Sequence, residues 1–406
     1  MRRKFLALLL IITVAAVIGY IFIPEREEPH SPGPPGEEDE VVAHEVRRIM
    51  AGMSLEEKIG QLVIVGLEGY ELDERVAKLI ETYRVGGFIL FKRNLRSVEQ
   101  AVDLVNALKA KNQANKIPLF LAVDEEGGRV SRAPAELAGL PASSVIGEHN
   151  DRDLAYQVGR LLAQKVKAIG LNMNFAPVLD VNSNPNNPVI GDRAFGAEPQ
   201  VVSTLGIPTM QGIQAEGVIS VVKHFPGHGD TAVDSHVGLP RVDHDRERLQ
   251  AVELPPFVRA IEEGADAVMI AHILLPKLDP DRPATFSPAI ISGLLREELR
   301  FAGVVITDDL TMGAIVNNYE IGQAAVESVK AGSDIVLVCH DYRLEEAVLI
   351  ALTEAVKSGE ISAERLDRSV YRILRLKRKY QLSDAPVQPG DVEKINTEIG
   401  KLENVI

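Results

Sequence analysis

A single cysteine, Cys339, stands in the whole chain, and there is no tryptophan. One thiol excludes an internal disulfide and any metal site built on cysteines. The neighbours Ile335, Val336, Leu337 and Val338 are apolar, so Cys339 is expected to be a buried structural thiol. The lack of indole rings argues for a small pocket that grips a ligand by hydrogen bonds, not a long aromatic-lined cleft. Positive charge is in the minority, with 44 Lys and Arg against 58 Asp and Glu. Outside the N-terminal head the one basic concentration is 365–379, on a predicted helix, and it reads as a solvated helix face. That distribution on an acidic chain sets nucleic-acid binding aside. No GxGxxG pattern follows the first predicted strand, which counts against nucleotide binding. What remains is 46% hydrophobic and 25% charged, an ordinary globular balance for 406 residues.

The most informative stretch is 221–240, VVKHFPGHGDTAVDSHVGLP. An apolar run ends in Lys223 and His224, and Pro226, Gly227 and Gly229 then break regular structure. The loop carries His224, His228 and His236 with Asp230 and Asp234. A strand whose C-terminal end opens into ionisable groups on a glycine-rich loop is where barrel enzymes keep their chemistry. Asp234 precedes His236 by two residues. A carboxylate so placed can orient an imidazole and raise its pKa, giving an acid/base usable near neutral pH. A polar surface loop is the plain alternative. A histidine metal site is another, although the spacing matches no short zinc pattern.

Residues 1–24 place Arg2, Arg3 and Lys4 ahead of an apolar run long enough to span a bilayer. The positive flank belongs in the cytoplasm, which sends the rest outside. An uncleaved membrane anchor is expected, with a cleaved signal peptide as the competing reading. Residues 25–38 are rich in proline and acid and read as a disordered spacer. The folded domain should cover 39–406, with a helix at 42–50 and another opened by Ser54 with Glu57 three residues on. Short apolar runs then recur at 62–65, 87–91, 119–123, 173–178, 219–222, 267–271, 304–307 and 334–338, separated by segments of helical period. Eight strands alternating with helices point to an α/β fold of the (β/α)8 barrel type, with a doubly wound open sheet as the runner-up. After a helix at 362–379 the tail reads as a loose extension.

Other strand ends carry chemistry too. After the third strand comes Asp124-Glu125-Glu126-Gly127-Gly128-Arg129, with Arg132 close behind. Carboxylates accept hydroxyl hydrogen bonds and arginines donate several, so the cluster suits a polyhydroxylated ligand, unless it is a solvated set of salt bridges. The fourth strand alternates Asn172, Asn174, Asp180 and Asn182 with apolar residues, and those polar groups need partners, either neighbours or a ligand. Asp180 and Asn182 read as structural support. Arg193, in GDRAFG, is either a substrate clamp or a surface ion pair. His272 reads as a satisfied structural group. The seventh strand ends in Asp308-Asp309, of which only one side chain can point into the barrel mouth. Nucleophilic catalysis suits Asp308, and capping of the following helix suits Asp309.

Six motifs in order, GGFILFKRN, DEEGGRVSR, NFAPVLDVNSNPNNPVIGDRAFG, KHFPGHGDTAVDSH, VMIAHILLP and ITDDLTMGAI, resemble those of family 3 glycoside hydrolases of the β-N-acetylhexosaminidase type. The likeness runs over about 330 residues. It implies a single barrel that removes terminal N-acetylglucosamine from peptidoglycan fragments or related oligosaccharides, with retention. It places Asp308 at the nucleophile position and Asp234 and His236 at an acid/base dyad on a mobile loop. It places Asp124, Arg132, Arg193, Lys223 and His224 at positions that bind the sugar ring. No metal and no cofactor is called for, and the expected partners are the oligosaccharide and, through 1–24, a membrane, with the protein a monomer. A family 3 β-glucosidase, a metal-dependent barrel hydrolase and a non-catalytic wall-binding surface protein are the alternatives.

Overall fold

The computed structural model describes residues 37–403 and Val405. The expected anchor at 1–24, and the spacer apart from Glu37 and Glu38, lie outside the described residues. Among the described residues no helix is long and apolar enough to cross a membrane. The chain divides into two compact units, Met1–His44 and Glu45–Ile406. Of the first, only the opening of the helix Glu37–Ala51 is described. The second holds the barrel.

Eight strands close into a parallel barrel in sequence order: β1 (Val63–Val65), β2 (Gly87–Leu90), β3 (Phe120–Val123), β4 (Met173–Asn174), β5 (Ile219–Phe225), β6 (Ala267–Ile270), β7 (Val304–Asp309) and β8 (Ile335–Val338). β8 returns to pair with β1, with Ile64 opposite Leu337. Apart from the last two residues of β7, every strand residue is buried. Helices cover the outer face, so continuous apolar runs replace the alternation of a half-exposed sheet. Each expected strand is present, and the open sheet is excluded by closure.

Two strands depart from expectation for physical reasons. β4 stops at Asn174, because Pro177 has no N–H to give the ladder. The chain still runs beside β5, with Lys223 N donating to Pro177 O and Leu179 N to Lys223 O. β5 runs three residues further than its apolar stretch, to Phe225, with a register shift against β6 between Val222 and Phe225. Lys223 and His224 therefore belong to the strand itself. Two amides of the fourth strand find neighbours, while the buried Oδ1 of Asn182 has no hydrogen-bond partner. Asn174 accepts from Glu125 N and donates to Glu125 O, and Asn172 brackets β3 by accepting from Leu121 N and donating to Leu119 O. Ser54 and Glu57 form the expected capping box of the helix Leu55–Gln61.

The basic run 365–379 is only in part a solvated face: Arg368, Arg375, Arg378 and Lys379 are exposed, but Arg365, Arg372 and Lys377 turn inward. On the helix Ala363–Lys379, Arg372 pairs with the buried carboxylate of Asp334 at 3.1 Å, a carboxylate that Arg296 and Ser369 also hold. Arg365 donates to Val329 O and Ser333 O, and Lys377 Nζ reaches Gln61 Oε1, Gly86 O and Pro118 O. These cations close the bottom of the barrel, where backbone carbonyls and Asp334 need donors. The tail is not loose either. It ends in a helix, Val392–Glu403, that buries Ile395, Ile399 and Leu402. On the way, Asp384 accepts from Asn112 and from Leu119 N, and Asn396 brackets Ala138 N and Glu136 O.

Candidate active site

The C-terminal ends of the strands surround a cavity of about 300 Å³. Asp124, Arg132, Arg193, Lys223, His224, Asp234, His236 and Asp308 all line it, so the structure brings the eight residues that the family resemblance singled out to one place. That follows from topology: in a barrel the residues just past each strand share one rim, however far apart in sequence.

One wall is a buried charge cluster. Lys223 Nζ lies 2.6 Å from both Asp124 Oδ1 and Glu126 Oε1. Arg193 grips Glu126 with two parallel hydrogen bonds of 2.8 Å. Burial works against the Lys223 ammonium, but Asp124 and Glu126 outweigh it and raise its pKa above the ordinary lysine value. Burial likewise works against the Glu126 carboxylate. Lys223 and Arg193 outweigh it and hold its pKa far below the usual range. Arg193, 11% exposed, thus makes a largely buried ion pair with Glu126, not a surface one. Glu126 belongs to the acidic cluster seen in the sequence, but its role there was not. Its place between Asp124 and two glycines was visible, but not that it would tie Lys223 of β5 to Arg193 of the loop after β4.

Behind this wall, Asp180 supports the end of β5 from beneath. It is fully buried, and its carboxylate accepts from His224 Nδ1 at 2.6 Å and from His228 N at 2.6 Å. With Nδ1 turned to Asp180, the Nε2 of His224 faces Arg193 Nη2 at 3.5 Å. Gly229 permits this packing, since a Cβ there would stand 1.8 Å from Val181 O. His228 is occupied by Thr231 and Ser235, and burial pushes its pKa down to about 4, so the ring is neutral. Among the described residues no group of three His, Cys, Asp or Glu is placed to hold a metal ion. Arg132 is carried by a turn that buried Glu125 fixes. Glu125 accepts from Ser131 Oγ, Arg132 N and Ala133 N, and its charge is met by Lys165 at 2.5 Å.

Opposite lies the end of β7. Burial favours a protonated Asp308, but the His272 and His224 side chains, the Asp309 amide and Lys223 outweigh it. The carboxyl is held below its usual range and is ionised at neutral pH. Asp309 does not cap the next helix, Gly313–Val316, whose first turn follows Met312. Its carboxylate instead accepts from Thr311 N, Thr311 Oγ1 and Cys339 N, tying β7 to the end of β8. Cys339 is buried, as expected. His272 is buried and satisfied, with Nδ1 on Thr285 Oγ1 and Nε2 on Asp309 O.

The third part is the loop after β5. Asp234 Oδ1 accepts from both His236 N and His236 Nδ1, each at 2.8 Å. Partial burial raises the Asp234 pKa, but these two bonds outweigh it and hold the carboxyl below its usual value. The His236 ring keeps 66% of its side chain exposed, so Nε2 is free to meet a ligand from outside. A half-buried carboxylate and an imidazole backed by a second carboxylate thus face one small polar cavity. That arrangement can perform a nucleophilic displacement with acid/base assistance.

Comparison with known proteins bears on this site. A family model described as the glycosyl hydrolase family 3 N terminal domain matches residues 54–376. The chain is 40% identical over 338 residues to Beta-hexosaminidase A of Pseudoalteromonas piscicida, covering 77% of this chain and 56% of that protein. It is 37% identical over 310 residues to a Beta-hexosaminidase of Idiomarina loihiensis, covering 75% of this chain and 91% of that one. The chain therefore spans little more than half of the first relative's length and nearly all of the second's. Among solved structures it is similar to a glycoside hydrolase family 3 beta-N-acetylglucosaminidase from Paenibacillus sp. str. FPU-7, with a TM-score of 0.83 and 43% identity. That likeness covers 86% of this chain and 68% of the other.

Proposed function

The chain belongs to glycosyl hydrolase family 3, and we propose that it is a retaining, exo-acting β-N-acetylglucosaminidase that releases terminal N-acetylglucosamine from peptidoglycan fragments or related oligosaccharides. The observation that carries the reading is the convergence of Asp308, the Asp234–His236 pair and the Asp124–Lys223–Glu126–Arg193 cluster on one cavity. Its volume of about 300 Å³ suits a single sugar ring, not a long chain. Every relative named above carries hexosaminidase or N-acetylglucosaminidase in its name.

In this reading Asp124 accepts ring hydroxyls while Lys223, Arg193, Arg132 and His224 supply donors. Asp308, kept ionised, attacks the anomeric carbon. The glycosidic C–O bond breaks, and His236 gives its proton to the leaving oxygen, so that a covalent glycosyl-enzyme forms. Water then enters and loses its proton to His236. It displaces Asp308, and two inversions give net retention. Asp234 orients the imidazole and stabilises it when protonated. Residues 1–24 are proposed as an anchor that holds the barrel outside the cytoplasmic membrane, and the barrel as a monomer.

The test is turnover of aryl β-glycosides by purified protein. The account expects hydrolysis of the N-acetylglucosaminide, with the glucoside and xyloside slower by at least about 100-fold, because a buried polar cluster left without its partner groups penalises the analogue. Comparable rates on glucoside would make it a β-glucosidase. Loss of activity with a chelator would favour a metal-dependent hydrolase. No turnover on any would favour a sugar-binding surface protein.

A further inference from the structure

Ser235 separates the two members of the dyad and, unlike them, is buried, at 2% exposure. Its hydroxyl lies 3.1 Å from Nε2 of His228, and the other nitrogen of that ring meets Thr231 Oγ1 at 2.8 Å. His228 is in turn held through its backbone N–H by Asp180. The loop is seated from the other side as well. Ser235 O accepts from Ala314 N at 3.0 Å, and His236 O from Gly313 N at 3.2 Å. Asn317 Nδ2 donates to Val237 O at 3.3 Å. A Cβ at position 313 would stand 2.5 Å from His236 O and 3.0 Å from Val237 O, so this close approach needs a glycine.

These contacts matter because of what the dyad lacks. The His236 side chain is mostly exposed, so core packing does not set its direction. Asp234 orients the ring but rides on the same loop. The direction of the pair relative to Asp308 is therefore inherited from the backbone at 234–236. That backbone is fixed by Ser235 on one side and by the segment just after the β7 carboxylates on the other.

We propose that Ser235 is a positioning residue for acid/base catalysis, latching the dyad loop to His228 while Gly313 provides the seat for the loop backbone. The proposal rests on the assignment of His236 as the acid/base. A latch of this kind acts through His236 alone, and that distinguishes it from a contact that merely shapes the sugar pocket.

The experiment compares Ser235→Ala and Gly313→Ala, each alone and combined with His236→Gly. The readout is kcat/KM on aryl β-N-acetylglucosaminides whose leaving groups range from dinitrophenol to methoxyphenol. A general acid matters most for a poor leaving group, and a displacement on the order of 1 Å costs up to about 100-fold. Ser235→Ala should therefore lose about tenfold or more on the methoxyphenyl glycoside and less than about threefold on the dinitrophenyl one, with Gly313→Ala following the same pattern. In the His236→Gly background neither change should matter by more than about twofold, since nothing is left to position. Equal losses on both leaving groups, or losses that multiply onto His236→Gly, overturn the latch. A His236→Gly variant with no leaving-group dependence would instead remove the acid/base assignment, and the latch with it.

Discussion

Glu126→Gln is the sharpest test of the charged wall. The substitution keeps the shape and one carbonyl oxygen, but removes the negative charge that lies 2.8 Å from Arg193 and 2.6 Å from Lys223. Those side chains are 3–11% exposed, so water replaces little of what is lost. Two cations against Asp124 and Glu126 balance, and two against Asp124 alone do not. Breaking a buried pair by removing one partner costs about 3–5 kcal/mol, and the retained oxygen puts this change near about 3. Unfolding entropy of about 2.1 cal/mol/K per residue over roughly 360 residues turns that into a thermal midpoint lowered by about 4 °C at pH 7. The pH dependence has a definite sign. Glu126 titrates lower in the fold than in the unfolded chain, so its contribution is full above the unfolded value of about 4.3 and fades as pH falls towards the folded one. The gap between wild type and variant should accordingly narrow between about pH 4 and pH 3. Activity should also fall, by about 100-fold in kcat/KM, because Arg193 and Lys223 lose their shared anchor. An unchanged midpoint at pH 7, or a gap that widens on acidification, refutes the reasoning.

Two further outcomes concern the boundaries. A chain beginning at Glu37 should keep kcat/KM within about twofold and remain in solution without detergent, since all eight strands and the cavity lie in Glu45–Ile406; an inactive or aggregated product contradicts the boundary. Ending the chain after Leu382 should lower the thermal midpoint. Losing buried Ile395, Ile399 and Leu402 with the Asp384 and Asn396 hydrogen bonds removes about 5 kcal/mol, or about 7 °C on the same conversion, and a shift under about 2 °C would show that the tail is not structural.

The strands were readable in the sequence because a parallel barrel buries both faces of each one. Buried strands appear as short apolar runs, and each of the eight runs holds a strand. What the runs hide is polar strand. Lys223, His224 and Asp309 lie within β5 and β7, where Lys223 bridges to Val178 and Asp309 pairs with Leu337. The same blindness affected the helix Ala363–Lys379, where Arg372 and Lys377 look like surface charge until Asp334, the Gln61 amide oxygen and two backbone oxygens are found beneath them. The helix Val392–Glu403 was missed because the polar stretch before it masks the few apolar residues that dock it. At the site, each catalytic candidate was named from its strand end. The pairings made by Glu126, Ser235 and Gly313 were not legible, since their partners lie 67, 7 and 77 positions away. Such contacts exist only once the rim is closed.

The central claim is that Asp308 forms the covalent bond. Two aspartates stand side by side, and the structure gives Asp309 to the Thr311 turn and to Cys339 N, while Asp308 lies ionised beside Lys223 and His224. Incubation with a slow fluorinated N-acetylglucosaminyl donor, followed by digestion and mass spectrometry of the peptides, reads the answer directly. The account predicts one added sugar per chain, carried by Asp308. A label on Asp309 or Asp124, or turnover with no labelled carboxylate, would contradict it.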